Sequence, residues 1–126
     1  MRLVSYLSDR GLRAGVLQDD RVVDAWDALQ MESATHGLRE LLERELLDRL
    51  ESSARGDGVP LDQVELAAPI PDPQKIVCIG LNYRSHAEES GIEPPPAPTF
   101  FAKFRNALVA TDTEVTLPAA SLVLSV

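Results

Sequence analysis

The stretch from Lys75 to Lys103 constrains the fold of this 126-residue chain more than any other. It opens with a short apolar run, Ile76 to Ile79, which is bounded by Pro73 and Gly80. A brief apolar run between two chain-breaking residues is the pattern of a buried strand. The sequence therefore predicts a strand here that ends at Gly80.

The polar segment from Tyr83 to Ser90 predicts a helix of about two turns. Asn82 is a candidate N-cap for this helix, and Gly91 is a candidate residue for its C-terminal end. A proline-rich loop follows, and a second apolar run over Thr99 to Ala102 leads to Lys103. The pattern predicts a strand, a small helix and a returning strand, an arrangement that often carries functional side chains at its loops.

His86 and Glu89 are three residues apart, so on a helix they share one face and can touch. A carboxylate beside an imidazole raises its basicity and fixes its orientation, as a general base requires. The same spacing also occurs in solvated surface pairs, and we interpret the rival carboxylate of Glu88 as a surface charge. Lys103 can meet an anionic substrate at the end of its strand, or can be an ordinary exposed lysine at a strand end.

These motifs resemble the fumarylacetoacetate hydrolase family. The matching stretches are Gly80–Tyr83, His86–Glu89, Pro98–Lys103, Leu108–Val109 and Val115–Pro118. The likeness covers about Pro69 to Ala120, because several uncommon features recur there in order at compatible spacing. The amino-terminal part resembles, more loosely, the small domain that precedes the catalytic domain in bacterial members.

The resemblance implies a divalent metal, Mg²⁺ or Mn²⁺, and 1,3-dicarbonyl or related oxo-acid substrates. Hydrolysis, isomerisation or decarboxylation through an enolate would be the reaction. By the same resemblance, His86 and Glu89 form a dyad that activates water or moves protons, and Lys103 points into the active site. Asn82 and Tyr83 line the pocket in relatives, although from the residues alone they shape the turn.

The resemblance also implies where metal ligands should lie, which is a Glu-x-Glu pair and a later Asp beyond the position of Pro118. No Glu-x-Glu occurs between Pro118 and Val126. Asp112 and Glu114 precede that point and do not match the ligands, and apolar Ile79 stands where some members have a metal-binding Asp. We therefore expect no metal-ligand residue in this chain and interpret it as truncated before the ligands.

The remaining sequence predicts an α+β fold that is mostly β, with a small amino-terminal domain over residues 1–67. Residues 68–126 would begin a β-rich catalytic domain of the fumarylacetoacetate hydrolase type. The turn chemistry predicts a β-meander followed by helices. The predicted elements are strands at Arg2–Tyr6, Leu12–Gln18, Arg21–Asp24 and Leu61–Ala67, a short helix at Ala25–Gln30, and a leucine-faced helix at Gly37–Leu50.

Composition limits the partners and the compartment. Hydrophobic residues make up 44% of the chain, which argues against disorder, and a net charge of −8 disfavours nucleic acid and anionic membrane surfaces. We see no apolar run that could span a bilayer and no signal peptide in the first ten residues. The single cysteine, Cys78, favours core packing in a reduced, cytoplasmic compartment.

Three functional interpretations remain open on the sequence. The first is an enzyme relative that acts on a small oxo acid, for which the resemblance also implies a possible homodimer. The second is a non-catalytic module that associates with intact copies of the family. The third is a truncated product without a function of its own.

Overall fold

The computed structural model of the chain describes residues 1–80, 83–91, 93 and 95–116. Its amino-terminal part opens with a three-stranded meander of β1 (Arg2–Ser8), β2 (Gly11–Gln18) and β3 (Arg21–Asp24). Two-residue turns join these strands, and all neighbours pair antiparallel. The predicted meander is therefore confirmed, with β1 two residues longer than expected.

Two short strands complete a five-stranded sheet in the order β4-β3-β2-β1-β5. They are β4 (Val59–Pro60) and β5 (Glu65–Ala67), and the 3₁₀ turn Leu61–Gln63 lies between them. The predicted strand over Leu61–Ala67 is therefore wrong in its first half. The backbone N–H of Leu61 donates to the carbonyl of Asp20 at 2.7 Å, and this bond holds the chain in a turn before β5 begins.

Three helices pack over one face of this sheet: α1 (Ala25–Leu29), α2 (Leu38–Glu43) and α3 (Leu47–Ser53). Burial of their apolar side chains against the sheet is the main force that holds this unit together. The core comprises Ala14, Val16, Ala25, Trp26, Leu29, Leu38, Leu41, Leu50 and Ala54.

The single helix predicted over Gly37–Leu50 is wrong, because the chain breaks it between α2 and α3. Glu45 takes a left-handed conformation with φ of 52°, and the N–H of Leu46 donates to the carbonyl of Leu41 at 3.1 Å. The break changes the direction of the chain, so that Leu41 and Leu50 are both fully buried. The spacing of the leucines could not predict this break. It indicates an apolar face, but not the change of direction that brings a second helix onto the core.

The connector after β5 is fastened to the amino-terminal sheet. The hydroxyl of Ser5 donates to the carbonyl of Pro69 at 2.6 Å, and Arg39 pairs with Asp72. Ile70 packs against the core. The domain boundary placed between residues 67 and 68 stays a prediction, and the connector remains in contact with the first unit as far as Asp72.

The second part contains β6 (Ile76–Gly80), α4 (Arg84–Ser90), β7 (Thr99–Lys103) and the 3₁₀ turn Arg105–Ala107. Strands β6 and β7 pair antiparallel as a two-stranded ribbon. The expectation of a buried strand is wrong, because Val77 is 64% exposed and Ile79 is 48% exposed. Cys78 is half-buried rather than a core residue. None of the helices described is long and apolar enough to cross a membrane.

Candidate functional site

Helix α4 connects the two strands of the ribbon and carries the predicted dyad. It ends at Gly91, whose φ of 63° is left-handed and whose N–H donates to the carbonyl of Glu88 at 3.2 Å. Glycine adopts this conformation without a steric cost, and the predicted end of the helix is confirmed. Tyr83 occupies the N-cap position without a side-chain cap, and Asn82, the predicted cap, lies outside the described residues.

His86 and Glu89 both lie in α4, so the predicted spacing on one helical face holds. Glu88 and Glu89 are exposed, and Ala87 in the same helix is buried at 2% exposure. The structure does not describe the side chain of His86. A contact between His86 and Glu89 is therefore not described either. The dyad and the roles of its members therefore stay predictions.

Lys103 is the last residue of β7 and is exposed, as expected for a lysine at a strand end. It pairs with Ile76, whereas Gly80, from which the chain continues to α4, pairs with Thr99. Four residue steps at about 3.3 Å each separate these two ends of the ribbon by about 13 Å. Among the described residues, Lys103 makes no ion pair with Glu89. Its role in binding an anionic group stays a prediction, as does that of Tyr83, which is 71% exposed.

The sequence reasoning missed a buried ionic cluster in the amino-terminal sheet. Arg13 is only 3% exposed, and its guanidinium makes a two-point pair with Asp24, with Nη2 to Oδ1 at 2.7 Å. Tyr6 donates its hydroxyl to Asp24 Oδ2 at 2.6 Å, and Arg13 also reaches Asp27 Oδ1 at 3.0 Å. The cross-strand register explains the cluster, because Tyr6 lies opposite Arg13 while Gly15 lies opposite Asp24.

Asp24 also caps α1, because it accepts the N–H groups of Trp26 and Asp27 at 3.0 and 2.9 Å. Burial of the Asp24 carboxylate by itself raises its pKa. The hydrogen bonds from Arg13 and Tyr6 outweigh that effect and hold the pKa below its ordinary value. Burial, and then the hydrogen bond to Asp24, raise the pKa of the Tyr6 phenol above its usual range. The cluster therefore stays charged at neutral pH and joins the sheet to α1.

One available sequence signal for this cluster was an arginine in the middle of an otherwise apolar strand. Leu12, Ala14 and Val16 share one face of β2, and Ala14 and Val16 are buried there. Arg13, on the opposite face, is buried as well. Its partner Asp24 is a typical N-cap residue at the start of α1. This arrangement is structural, since the groups satisfy one another.

A cleft of about 1250 Å³ lies between the amino-terminal sheet and the segment 110–113. Its lining includes the carboxylates of Asp19, Asp20, Asp62, Glu65 and Asp112. Across residues 1–80, 83–91, 93 and 95–116, no group of three His, Cys, Asp or Glu side chains is arranged to hold a metal ion. The segment after Pro118, where the resemblance puts the ligands, lies outside the described residues.

Comparison with known proteins identifies the class. Residues 75–125 match the family model for the fumarylacetoacetate (FAA) hydrolase C-terminal, which covers β6, α4 and β7. Over these residues the chain is similar to the fumarylacetoacetate hydrolase family. Across 96% of its length it is 29% identical to fumarylacetoacetate hydrolase domain-containing protein 2 homolog of Dictyostelium discoideum. It is 38% identical over 60 residues to the human mitochondrial oxaloacetate tautomerase FAHD2A.

Two solved structures share the α+β fold. A Mycobacterium smegmatis structure, solved as an HpcE protein, matches 94% of this chain with a TM-score of 0.73 at 24% identity. Maleylpyruvate hydrolase of Sphingobium sp. SYK-6, in complex with manganese(II) and pyruvate, matches 94% of the chain with a TM-score of 0.59 at 30% identity. The expected fold class is therefore confirmed.

The relatives are much longer than the matched region. The match covers 42% of the Dictyostelium relative, 41% of the mycobacterial chain and 43% of the maleylpyruvate hydrolase chain. The chain therefore spans less than half the length of these relatives. The compartment expected from the single cysteine stays a prediction, since the human relative is named as mitochondrial.

Proposed function

We propose that this chain contributes the proton-transfer segment of an oxo-acid hydrolase or isomerase site, with α4 as the element that carries it. The observation on which this rests is that His86 and Glu89 lie three residues apart in α4, inside the region that matches the family model. Two similar proteins, an oxaloacetate tautomerase and a maleylpyruvate hydrolase, are named for reactions on oxo acids. Those names favour an oxo acid as the small-molecule substrate.

Each proposed residue has a distinct task. The imidazole of His86 takes a proton from water or from the carbon beside the substrate carbonyl, and the carboxylate of Glu89 orients the ring and stabilises its charged form. The ammonium of Lys103 holds an anionic group of the substrate. Tyr83, at the N-cap position of α4, and Asn82, the residue before it in the sequence, would contact the substrate.

The expected divalent ion does not fit the residues described. Mg²⁺ and Mn²⁺ bind several oxygen ligands, and no such group lies in the described part of the chain. The manganese in the maleylpyruvate hydrolase structure supports a divalent ion for the family. We therefore assign proton transfer and positioning to this chain and derive no step through a metal.

The proposal predicts a specific response in a lengthened chain. The chain would be fused to the part of the Sphingobium maleylpyruvate hydrolase that has no counterpart here, and turnover measured on a panel of diketo acids with Mn²⁺ or Mg²⁺. His86→Ala and Glu89→Ala should each lower turnover by about 10²- to 10⁴-fold, the usual contribution of a general base. Glu88→Ala is the matched control, because it removes a neighbouring exposed carboxylate, and it should leave turnover nearly unchanged.

Circular dichroism and thermal unfolding of each variant would separate a catalytic loss from a folding loss. Full activity after His86→Ala would reject the dyad, and an equal loss from Glu88→Ala would reject Glu89 as the partner.

The second candidate is a non-catalytic module that associates with another polypeptide. It is supported by the exposed apolar side chains of the ribbon and by the lack of a metal-binding group among the described residues. On this basis the purified 126-residue chain, assayed with the same diketo acids with and without chelator, should show no turnover. Chelator-sensitive turnover by that chain would contradict this expectation. The homodimer that the resemblance implies stays a prediction.

A further inference from the structure

The connector after β5 is held at three places against the amino-terminal unit, which comprises the five-stranded sheet and helices α1 to α3. Ser5 is only 1% exposed and donates its hydroxyl to the carbonyl of Pro69 at 2.6 Å. Ile70 packs against the core, and Arg39 forms an ion pair with Asp72. Because these contacts extend along the connector as far as Asp72, the connector belongs mechanically to the amino-terminal unit.

The sequence of the connector also limits how it can bend. Proline occupies every second position, at Pro69, Pro71 and Pro73. Each proline fixes its own φ and restricts the backbone of the residue before it. The connector therefore resists bending up to Pro73.

Gln74 and Lys75 follow the last of these prolines and directly precede β6. Both residues are exposed, and neither is a proline. Among the residues that the structure describes, no ion pair joins β6, α4 or β7 to the amino-terminal unit. The backbone of Gln74 and Lys75 is therefore where the second part of the chain can change its direction at the lowest cost.

A rotation at this point changes the width of the cleft between the amino-terminal sheet and the segment 110–113. The wall on the amino-terminal unit carries the carboxylates of Asp19, Asp20, Asp62 and Glu65. The opposite wall carries Asp112. Arg21 also lines the cleft, and its guanidinium donates to the carbonyls of Asp57 and Gly58. Negative charge therefore predominates in the cleft, and carboxylates lie on both of its walls.

We propose that the chain contains a salt-responsive hinge. The second part pivots at Gln74 and Lys75 on the fixed connector, and repulsion between the carboxylates of the two walls sets the width of the cleft. At low ionic strength this repulsion extends across the cleft and favours a wide opening. Salt screens the repulsion, so the cleft narrows as the ionic strength rises.

The test measures a distance across the cleft in the intact 126-residue chain. Trp26 is the only tryptophan and serves as the donor for energy transfer, and Cys78 is the only cysteine. With Cys78→Ser as background, Val109→Cys places an acceptor dye at a residue that is 54% exposed and directly precedes the segment 110–113. The transfer efficiency should rise between about 0.01 M and about 1 M salt, because the Debye length falls from about 30 Å to about 3 Å over that range.

Asp112→Asn tests the charge on the second wall. Asp112 has a left-handed φ of 59°, which asparagine also adopts, so the change removes the charge with little effect on the backbone. It should raise the transfer efficiency at low salt and remove most of the dependence on salt. Glu114→Gln is the matched control, because Glu114 is an exposed carboxylate close by in the sequence that does not line the cleft. It should keep the wild-type dependence.

Ser5→Ala and Asp72→Asn test the fixed connector. Each removes one contact that holds the connector, so each should broaden the distribution of distances in time-resolved energy transfer. Glu43→Gln is the control, because it removes the other carboxylate partner of Arg39 and leaves the connector in place. It should not change the width of the distribution. Circular dichroism of each variant would separate a released connector from a loss of folding.

Three results would overturn the proposal. The first is a transfer efficiency that does not change with salt in the labelled wild-type background. The second is an equal effect of Asp112→Asn and Glu114→Gln. The third is an unchanged distribution of distances in both folded connector variants. The hinge does not depend on the roles proposed for His86 and Glu89, since its test measures a distance rather than turnover.

Discussion

The two parts of this chain differ in how much of their apolar surface they bury. The amino-terminal sheet closes its core with three of its own helices, and Trp26, Leu41 and Leu50 are each at most 1% exposed. The ribbon of β6 and β7 instead exposes Val77 and Phe100 by more than half of their surface. Both parts have apolar strands, so strand composition alone does not distinguish them.

The difference shows which part can be stable by itself. The first unit satisfies its buried charges internally, because Arg13 and Asp24 pair, and it buries its helices on its own sheet. The ribbon has the side chains of a core strand but no second layer among the described residues. We infer that the free energy of folding lies mainly in the first unit.

The largest expected effect is that of Asp24→Ala on the free energy of unfolding. This change leaves the buried guanidinium of Arg13 without its main partner and removes the cap of α1, so it should cost about 3–5 kcal/mol. Urea unfolding followed by circular dichroism would measure it. Asp27→Ala, at a carboxylate 55% exposed, is the control and should cost less than about 1 kcal/mol. Equal losses would contradict a buried cluster centred on Asp24.

A core truncation should come next. Leu41 is fully buried, so Leu41→Ala should reduce the free energy of unfolding by about 2–5 kcal/mol through lost burial and a residual cavity. Leu42→Ala is the matched control, because Leu42 follows directly in α2 and is 45% exposed. It should cost far less. The reverse ranking in urea unfolding would place the wrong face of α2 in the core.

A smaller effect concerns acid stability. Burial by itself raises the pKa of Glu40, but hydrogen bonds from Ser33, Thr35 and Arg44 lower that pKa from 4.5 to about 2. Because the folded pKa is the lower one, this carboxylate stabilises the fold above pH 4.5, and the contribution disappears as pH falls toward 2. The unfolding free energies of wild type and Glu40→Gln should therefore converge over that range.

Glu43→Gln is the control for this measurement, because Glu43 is 62% exposed in the same helix. Its difference from wild type should change less than that of Glu40→Gln over the same pH range. A Glu40→Gln difference that does not change with pH would show that the Ser33 and Thr35 hydrogen bonds do not favour the ionised carboxylate.

The smallest effect is expected in the ribbon. Phe100→Ala removes a large side chain, yet Phe100 is 65% exposed, so the free energy of unfolding of the isolated chain should change by no more than about 0.5 kcal/mol. Urea unfolding would measure it beside Leu41→Ala. A loss above about 2 kcal/mol would mean that the ribbon is already covered in the isolated chain.

Much of the local structure followed from the sequence. The turns at Asp9–Arg10 and Asp19–Asp20, the strand at Arg21–Asp24 and the helix end at Gly91 all agree with the structure. These features depend on residues only a few positions apart, through backbone preferences and side-chain caps. The resemblance to the family was also evident from short motifs, and the family model matches residues 75–125.

The errors share a different cause. The break at Glu45, the burial of Arg13 and the exposure of Val77 each depend on which distant element lies against the residue. The spacing of apolar residues predicts which face of a helix or strand is apolar. It does not predict which other element packs against that face. For the site, the sequence predicted that α4 carries His86 and Glu89 on one face, and the contact between their side chains stays a prediction.

The sequence by itself determined the amino-terminal meander and its turns, the end of α4 at Gly91, and the family that the chain resembles. Only the tertiary structure decided that Arg13 and Asp24 form a buried pair, that the leucine-rich segment bends at Glu45, and that the ribbon exposes Val77 and Phe100. The physical reason is the distance along the chain over which each interaction acts. Backbone preferences act between neighbours, whereas burial and ion pairing depend on segments that meet only when the chain has folded.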